Sequence, residues 1–180
     1  MNMQQITELD LSNKTVLLRA DLNVPIHNNI ITSNARLNAI EESIKYICTQ
    51  NVKQLILCSH LGRPRKDLTP SEQPEFSMHI VATALEKLIG QPVTLHNTLN
   101  KQALPKSRIV LLENVRFNTG ETSNDLELAQ QYASLADIFV MDAFATAHRK
   151  HASTYGVIKY AKQACAGILL AKEVAAIDRA

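Results

Sequence analysis

Short, nearly continuous runs of apolar residues alternate along this chain with segments of helical periodicity. Five such runs are rich in Val, Ile and Leu: 15–24, 54–59, 93–96, 109–117 and 138–144. Runs of this length and composition are typical of strands that are covered on both faces of a sheet. The pattern therefore predicts five buried strands.

Apolar residues three or four positions apart predict two helices in the first half of the chain. The first helix would bury Leu37, Ile40, Ile44 and Ile47, and the second would bury Met78, Val81, Leu85 and Leu88. Ser77 is the predicted N-cap of the second helix, and the segment 90–92 (Gly-Gln-Pro) is predicted to end it.

Two more helices are predicted in the second half. Asn124 and Glu127 suggest a capping box for a third helix. Its inward face would carry Leu126, Ala129, Ala133 and Ala136. A last helix is predicted over about 167–179, with a buried stripe of Leu170, Val174 and Ile177.

Strands that alternate with helices predict an α/β fold. The expected architecture is a doubly wound, Rossmann-like parallel sheet with helices on both faces, in three α/β/α layers. We expect one domain over 1–180, with ligands bound beyond the carboxyl ends of the strands. The segment 63–76 is rich in proline and charge and is predicted to be mobile.

Composition narrows the function classes further. The chain is 46% hydrophobic and 20% charged, and no apolar run reaches the roughly 18 residues that cross a bilayer. Its first residues lack a basic stretch followed by an apolar one, so we expect a cytoplasmic protein without a membrane partner. Cys48, Cys58 and Cys165 are expected to be free thiols, and no metal site is expected.

Basic residues lie at or just after several predicted strands, although 19 Lys and Arg nearly balance 17 Asp and Glu. These residues are Arg19, His60, Arg63, Arg116, His148 and Arg149. Arginine binds carboxylate or phosphate through two parallel hydrogen bonds. The arrangement therefore predicts a local pocket for a small anion rather than a surface for a polyanion.

Each of these residues also has a plainer interpretation. Strand periodicity places Arg19, Asp21 and Asn23 on one side, where they would form either a structural Asp–Arg pair or a group that orients a substrate. A histidine at position 60 is often a core residue, and the basic turn at 148–151 would by itself be a solvated surface turn. Arg36 precedes the first predicted helix and could contribute a positive charge from the side of the anion pocket.

Nucleotide-binding motifs are missing from the sequence. Neither G-x-x-x-x-G-K-[ST] nor G-x-G-x-x-G occurs, and there is no G-x-S-x-G nucleophile. The chain therefore has the features of an acceptor site without those of a phosphoryl donor site.

Four segments resemble the N-terminal signatures of phosphoglycerate kinases. They are RADLNVP at 19–25, SHLGRP at 59–64, LLENVRF at 111–117 and DAFATAHRKH at 142–151. The resemblance covers essentially the whole chain, but only the first half of the family's usual chain. It implies reversible transfer of the acyl phosphate of 1,3-bisphosphoglycerate to ADP, which gives 3-phosphoglycerate and ATP.

The resemblance also implies roles for individual residues. Asp21 and Asn23 would orient the glycerate, and Arg36 would be the catalytic arginine. The phosphate would be bound by His60, Arg63, Arg116 and Arg149. The other expected substrate-site residues are Arg19, Leu22, Leu61, Gly62, His148 and His151.

The remaining implications concern the protein as a whole. Mg²⁺ with ATP or ADP would bind a C-terminal nucleotide domain that is not in these 180 residues. The chain alone would be inactive and would expose an apolar face, whereas the full enzyme would be monomeric. The alternatives are a stand-alone module that binds a small phosphorylated acid and a nucleic-acid binder. Near-neutral charge and 4% aromatic content weigh against the latter.

Overall fold

Six parallel strands form the central sheet of the computed structural model, which describes residues 3–180. A small antiparallel hairpin of two further strands lies outside it. In chain order the strands are β1 (Thr15–Ala20), β2 (Ile26–His27), β3 (Ile30–Ile31), β4 (Gln54–Cys58), β5 (Thr94–His96), β6 (Ile109–Leu112), β7 (Ile138–Asp142) and β8 (Ala164–Ala166). The order across the sheet is β5–β6–β4–β1–β7–β8.

Helices connect these strands. They are α1 (Ala35–Thr49), α2 (His79–Ile89), α3 (Leu126–Ser134), α4 (Phe144–Ala147), α5 (Val157–Tyr160) and α6 (Ile168–Asp178). Short 3₁₀ turns occur at Ile6–Glu8, Pro70–Glu72, Pro74–Phe76, Lys101–Ala103 and Val115–Phe117, and a π-helical turn at Ala152–Gly156. The alternation of strand and helix confirms the predicted α/β fold.

The sheet separates two hydrophobic cores, because successive side chains of a strand point to opposite faces. On one face Leu18 and Leu57 pack with Ile40 and Ile44 of α1 and with Leu85 of α2. On the other face Leu17, Ile56 and Phe139 pack with Leu128 and Tyr132 of α3. Both faces of the strands are therefore covered, as their continuous apolar runs predict.

Three predicted strands end two or more residues earlier than expected. The runs 15–24, 109–117 and 138–144 form strands only as far as Ala20, Leu112 and Asp142. After Asp142 the chain passes through Ala143 into α4. After Ala20 and Leu112 the chain forms loops and turns, in which Asp21, Asn23 and Asn114 bind loop backbone instead of a neighbouring strand. Asp21 and Asn23 consequently lie in a loop, and the prediction that strand periodicity aligns them with Arg19 is wrong. The apolar pattern does not predict strand β8 or the β2–β3 hairpin.

The start of α2 lies one residue later than predicted. Met78 is the N-cap, and its backbone N–H donates to Oε1 of Glu113 at 2.7 Å. Ser77 donates its hydroxyl to the same carboxylate, also at 2.7 Å. A side chain from the end of β6 therefore caps this helix. Gly90 ends α2 with φ = +74°, which confirms the predicted stop.

The predicted capping box of α3 is wrong. Asp125 is the N-cap and its carboxylate accepts from the N–H of Leu128 at 2.9 Å. The one-residue shift turns Leu126 to solvent, although Ala129 and Ala133 are buried as predicted. In α6 Leu170 is buried, but Ile177 is exposed, so the predicted stripe stops short of the helix end.

The loop 63–76 folds around the buried amide of Gln73. Its Oε1 accepts from the N–H of Arg65 at 2.8 Å, and its Nε2 donates to the carbonyls of Arg65 and Leu68. The mobility of this loop stays a prediction. The three cysteines are free and buried, as expected.

None of the helices in the described part of the chain combines the length and apolarity that a membrane crossing requires.

Candidate functional site

The carboxyl ends of the parallel strands lie at one edge of the sheet, and the segments that follow three of them, β4, β6 and β7, surround a cleft of about 990 Å³. One wall is the loop that begins at Arg63, and the other is the segment 116–125. The basic side chains that line the cleft include Arg63, Arg116, Arg149 and His151. Residues from three separate strand ends therefore converge there.

Arg116 is held in this wall by the backbone of Gly62, whose carbonyl accepts from its Nη1 at 2.7 Å. Its buried Nε has no hydrogen-bond partner among residues 3–180. Burial lowers the pKa of Arg116, and the positive charges of Arg149, Arg63 and Arg19 lower it further. Arginine nevertheless stays protonated at neutral pH. A bound anion would relieve this mutual repulsion.

A second group of polar residues, Asp21, Asn23 and Arg36, lies beside the arginines of the cleft. Arg36, in the first turn of α1, approaches Oδ2 of Asp21 with its Nε at 3.4 Å and donates its Nη1 to the carbonyl of Asn23. The Asp21 partner is therefore Arg36 rather than Arg19. Asp21 also accepts from the N–H of Asn23 at 3.1 Å.

Gly62 joins the two groups. Its N–H donates to Oδ1 of Asn23 at 2.8 Å, while its carbonyl binds Arg116. Its φ of +58° is unfavourable for any residue with a side chain. A Cβ at this position would also lie 2.6 Å from the ring of Phe76. Glycine is required here by both conformation and space.

Arg19 and His60 lie beneath the cleft rather than on its surface, with exposures of 1% and 6%. Nη2 of Arg19 is 3.5 Å from Nδ1 of His60. Burial lowers the pKa of His60 to about 3, with further lowering by the positive charges of Arg19, Arg116, Arg149 and Arg36. His60 is therefore a neutral imidazole at physiological pH.

The neutral state of His60 predicts an acid-sensitive fold. The unfolded chain takes up a proton at this residue below about pH 6.5, whereas the folded chain does not until about pH 3. This contribution to stability is complete above pH 6.5 and is lost progressively as the pH falls towards 3. We expect His60→Gln to reduce the slope of unfolding free energy against pH in this window by up to about 1.4 kcal/mol per pH unit.

Urea unfolding at several pH values measures this slope. His27→Gln, which removes an exposed imidazole from the β2–β3 hairpin, is the matched control. Equal slopes for His60→Gln and the wild-type chain would contradict the prediction.

The remaining expected site residues differ in their positions. His148 is exposed at the C-cap of α4, and within residues 3–180 no hydrogen bond links its side chain to the site. His151 lines the cleft, and its pKa is lowered by burial and then by Arg116 and Arg149. Leu22 and Leu61 point into the hydrophobic core, so only their backbones are available near the site.

Three buried polar residues that support the site were not singled out from the sequence. Asn114 bonds the backbone of Leu61, while Glu121 and Ser153 form a pair behind Arg19. Asn114 lies within the segment LLENVRF at 111–117, but Glu121 and Ser153 are isolated polar residues outside the strands and the α-helices. No spacing or motif in a single sequence marks them.

The sequence is similar to one family of known proteins over almost its whole length. The sequence model of the family described as phosphoglycerate kinase matches residues 6–180. The chain belongs to the phosphoglycerate kinase family. The phosphoglycerate kinase of Baumannia cicadellinicola subsp. Homalodisca coagulata is 48% identical over 182 aligned positions, which cover 100% of this chain and 46% of that protein. That of Francisella philomiragia subsp. philomiragia is 46% identical and covers 100% and 45%.

Solved structures of phosphoglycerate kinases have the same fold. The enzyme from Coxiella burnetii superposes with a TM-score of 0.91 at 44% identity, over 99% of this chain and 45% of that one. The enzyme from Pyrococcus horikoshii OT3 gives a TM-score of 0.82 at 29% identity, over 98% and 45%. The chain thus spans about half the length of the relatives it matches, and corresponds to their N-terminal half.

Proposed function

We propose that this chain holds the 3-phosphoglycerate half of a phosphoglycerate kinase site. The observation that supports this proposal best is the convergence of Arg63, Arg116 and Arg149 on one cleft, next to Asp21 and Arg36. Three arginines suit the binding of a phosphate. The neighbouring carboxylate of Asp21 and amide of Asn23 suit the hydroxyl and carboxylate groups at the other end of a glycerate. The ligand would be 3-phosphoglycerate or 1,3-bisphosphoglycerate.

The chemistry expected at such a site needs no general base in the chain. When ATP is the donor, the attacking oxygen belongs to the carboxylate of 3-phosphoglycerate, which is already ionised at neutral pH. Transfer of a phosphoryl group depends mainly on positioning and on stabilisation of spread negative charge. Arg36 is the residue we assign to that stabilisation, since it lies beside Asp21 and its side chain is about half exposed.

A magnesium site does not fit the residues that the structure describes. Over 3–180 there is no group of three or more His, Cys, Asp or Glu residues placed to hold a metal ion. We propose that Mg²⁺ and ATP or ADP bind a nucleotide-binding part of the protein beyond these 180 residues, and that the 180-residue chain alone does not turn over.

For the protein as a whole we propose the cytoplasm as its location and a monomeric enzyme as its form. Both proposals rest on family membership.

Heteronuclear NMR titration of the chain with 3-phosphoglycerate, and separately with Mg-ADP, tests the proposed function. We expect shifts with 3-phosphoglycerate and none with Mg-ADP. The shifts should be confined to the surroundings of the proposed site, namely Asp21, Asn23, Arg36, His60, Arg63, Arg116 and Arg149. A coupled ATP assay of the same sample should show no turnover.

Two outcomes would contradict the proposal. Specific binding of Mg-ADP would place a nucleotide site in this chain. Turnover comparable to that of a complete phosphoglycerate kinase would contradict the claim that the chain is inactive alone.

A further inference from the structure

A continuous chain of buried hydrogen bonds runs behind the anion cleft. Oε1 of Glu121 accepts from the hydroxyl of Ser153, and Oε2 accepts from the N–H of the same residue at 3.2 Å. Oγ of Ser153 in turn accepts from Nε of Arg19 at 3.0 Å. Both Glu121 and Ser153 are at least 98% buried.

The guanidinium of Arg19 is thereby oriented from two sides. Ser153 binds its Nε, and the carbonyl of Ala20 accepts from its Nη1 at 2.6 Å. This leaves Nη2 facing Nδ1 of His60 at 3.5 Å. Because the guanidinium is planar and rigid, fixing two of its nitrogens also fixes the third.

The donor and the acceptor of each of these hydrogen bonds follow from the chemical groups involved. A guanidinium can only donate, so Nδ1 of His60 must be the acceptor and carry no proton. A neutral imidazole then carries its single proton on Nε2. Burial and the surrounding positive charges lower the pKa of His60, which keeps the ring neutral.

Charge balance explains why a carboxylate, that of Glu121, lies at the far end of this series of hydrogen bonds. A buried guanidinium without a counter-charge is strongly unfavourable. Burial raises the pKa of Glu121, while the positive charge of Arg19 and the hydrogen bonds from Ser153 oppose that rise. The positive charge of Arg19 therefore favours the ionised form of Glu121 and partly offsets the cost of burying it.

We propose that Glu121 and Ser153 are positioning residues that hold Arg19 so that His60 is fixed as its Nε2–H tautomer. The proton on Nε2 makes His60 a donor, suited to an anionic ligand such as a phosphate. That last step rests on the proposed function, whereas the choice of tautomer does not. Neither Glu121 nor Ser153 needs to touch the ligand.

Nitrogen NMR of the histidine rings in the full 180-residue chain tests this proposal, because it distinguishes the two neutral tautomers directly. The His60 signals are assigned by their loss in His60→Gln. We expect the wild-type chain to show the Nε2–H form alone. Ser153→Ala and Glu121→Gln should each give a mixture of tautomers. Both should also weaken 3-phosphoglycerate binding about tenfold, the effect of one displaced hydrogen bond to a charged group.

Ser134→Ala and Glu127→Gln, at exposed positions of α3, are the matched controls and should leave His60 unchanged. Ser153→Ala removes a single oxygen, so it provides the test if Glu121→Gln fails to fold. An Nδ1–H tautomer in the wild-type chain would overturn the proposal. So would an unchanged His60 in a folded Ser153→Ala variant.

The readout also separates this inference from the proposed function. If the tautomer changes in both variants while the wild-type chain binds no 3-phosphoglycerate, the positioning role is supported and the assigned ligand is wrong.

Discussion

Asn114→Ala is expected to lower the free energy of unfolding by about 3 kcal/mol and to disorder the cleft. The buried amide accepts from the N–H groups of Leu61 and Arg116, both at 3.1 Å. It donates to the carbonyls of Leu61 and Phe76 at 2.7 and 3.0 Å. Each backbone group left unpaired costs about 1–3 kcal/mol if it stays buried, and partial entry of water reduces the sum.

The effect should extend to ligand binding, because Asn114 joins the loop after β4 to the turn after β6. Urea unfolding measures the loss of stability, and titration with 3-phosphoglycerate measures the loss of affinity. Asn97→Ala, at an exposed loop position, is the control and should change stability by less than about 0.5 kcal/mol. A loss below about 1 kcal/mol for Asn114→Ala would show that this amide does not hold the loops together.

Arg63→Gln is expected to weaken binding of 3-phosphoglycerate between about 10- and 100-fold, with little change in stability. The side chain of Arg63 lines the cleft and is exposed, so its removal leaves no buried group without a partner. A hydrogen bond to a charged group contributes about 1.5–3 kcal/mol, which corresponds to this range of affinity. Isothermal titration calorimetry at fixed ionic strength measures the change.

Two further variants separate charge from geometry. Arg63→Lys keeps the positive charge but loses the planar fork, so an intermediate affinity is expected. Arg179→Gln removes an exposed arginine near the end of α6 and should bind like the wild-type chain. Equal affinities for Arg63→Gln and Arg179→Gln would remove Arg63 from the proposed site.

The fold was predictable because its signal is local and repeated. The runs at 54–59 and 138–144 are continuous and apolar, and the strands they form are buried on both faces. The face of α1 that carries Ile40 and Ile44 was likewise evident from spacing alone. The predictions were wrong at the ends of helices and strands, where a single side chain determines the first or last residue of the element. Asp125 rather than Asn124 caps α3, and that one-residue difference exposes Leu126.

The candidate site was predictable as a set of residues but not as an arrangement. Basic residues at successive strand ends meet because parallel strands end at one edge, and this brought Arg63, Arg116 and Arg149 together. Sequence spacing did not show that Arg36 pairs with Asp21, or that His148 faces solvent. Those positions depend on loop conformations that no periodic pattern encodes.

Residue type and short-range spacing are sufficient to predict the alternation of strand and helix, the buried faces and the basic character of one sheet edge. Which charges face the cleft and which lie beneath it depends on how the loops fold. Glu121, Ser153 and Arg19 are separated by up to 134 positions along the chain, yet they form one buried network. Such a network depends on long-range packing and on the low dielectric of the interior, so its members become evident only once the chain has folded.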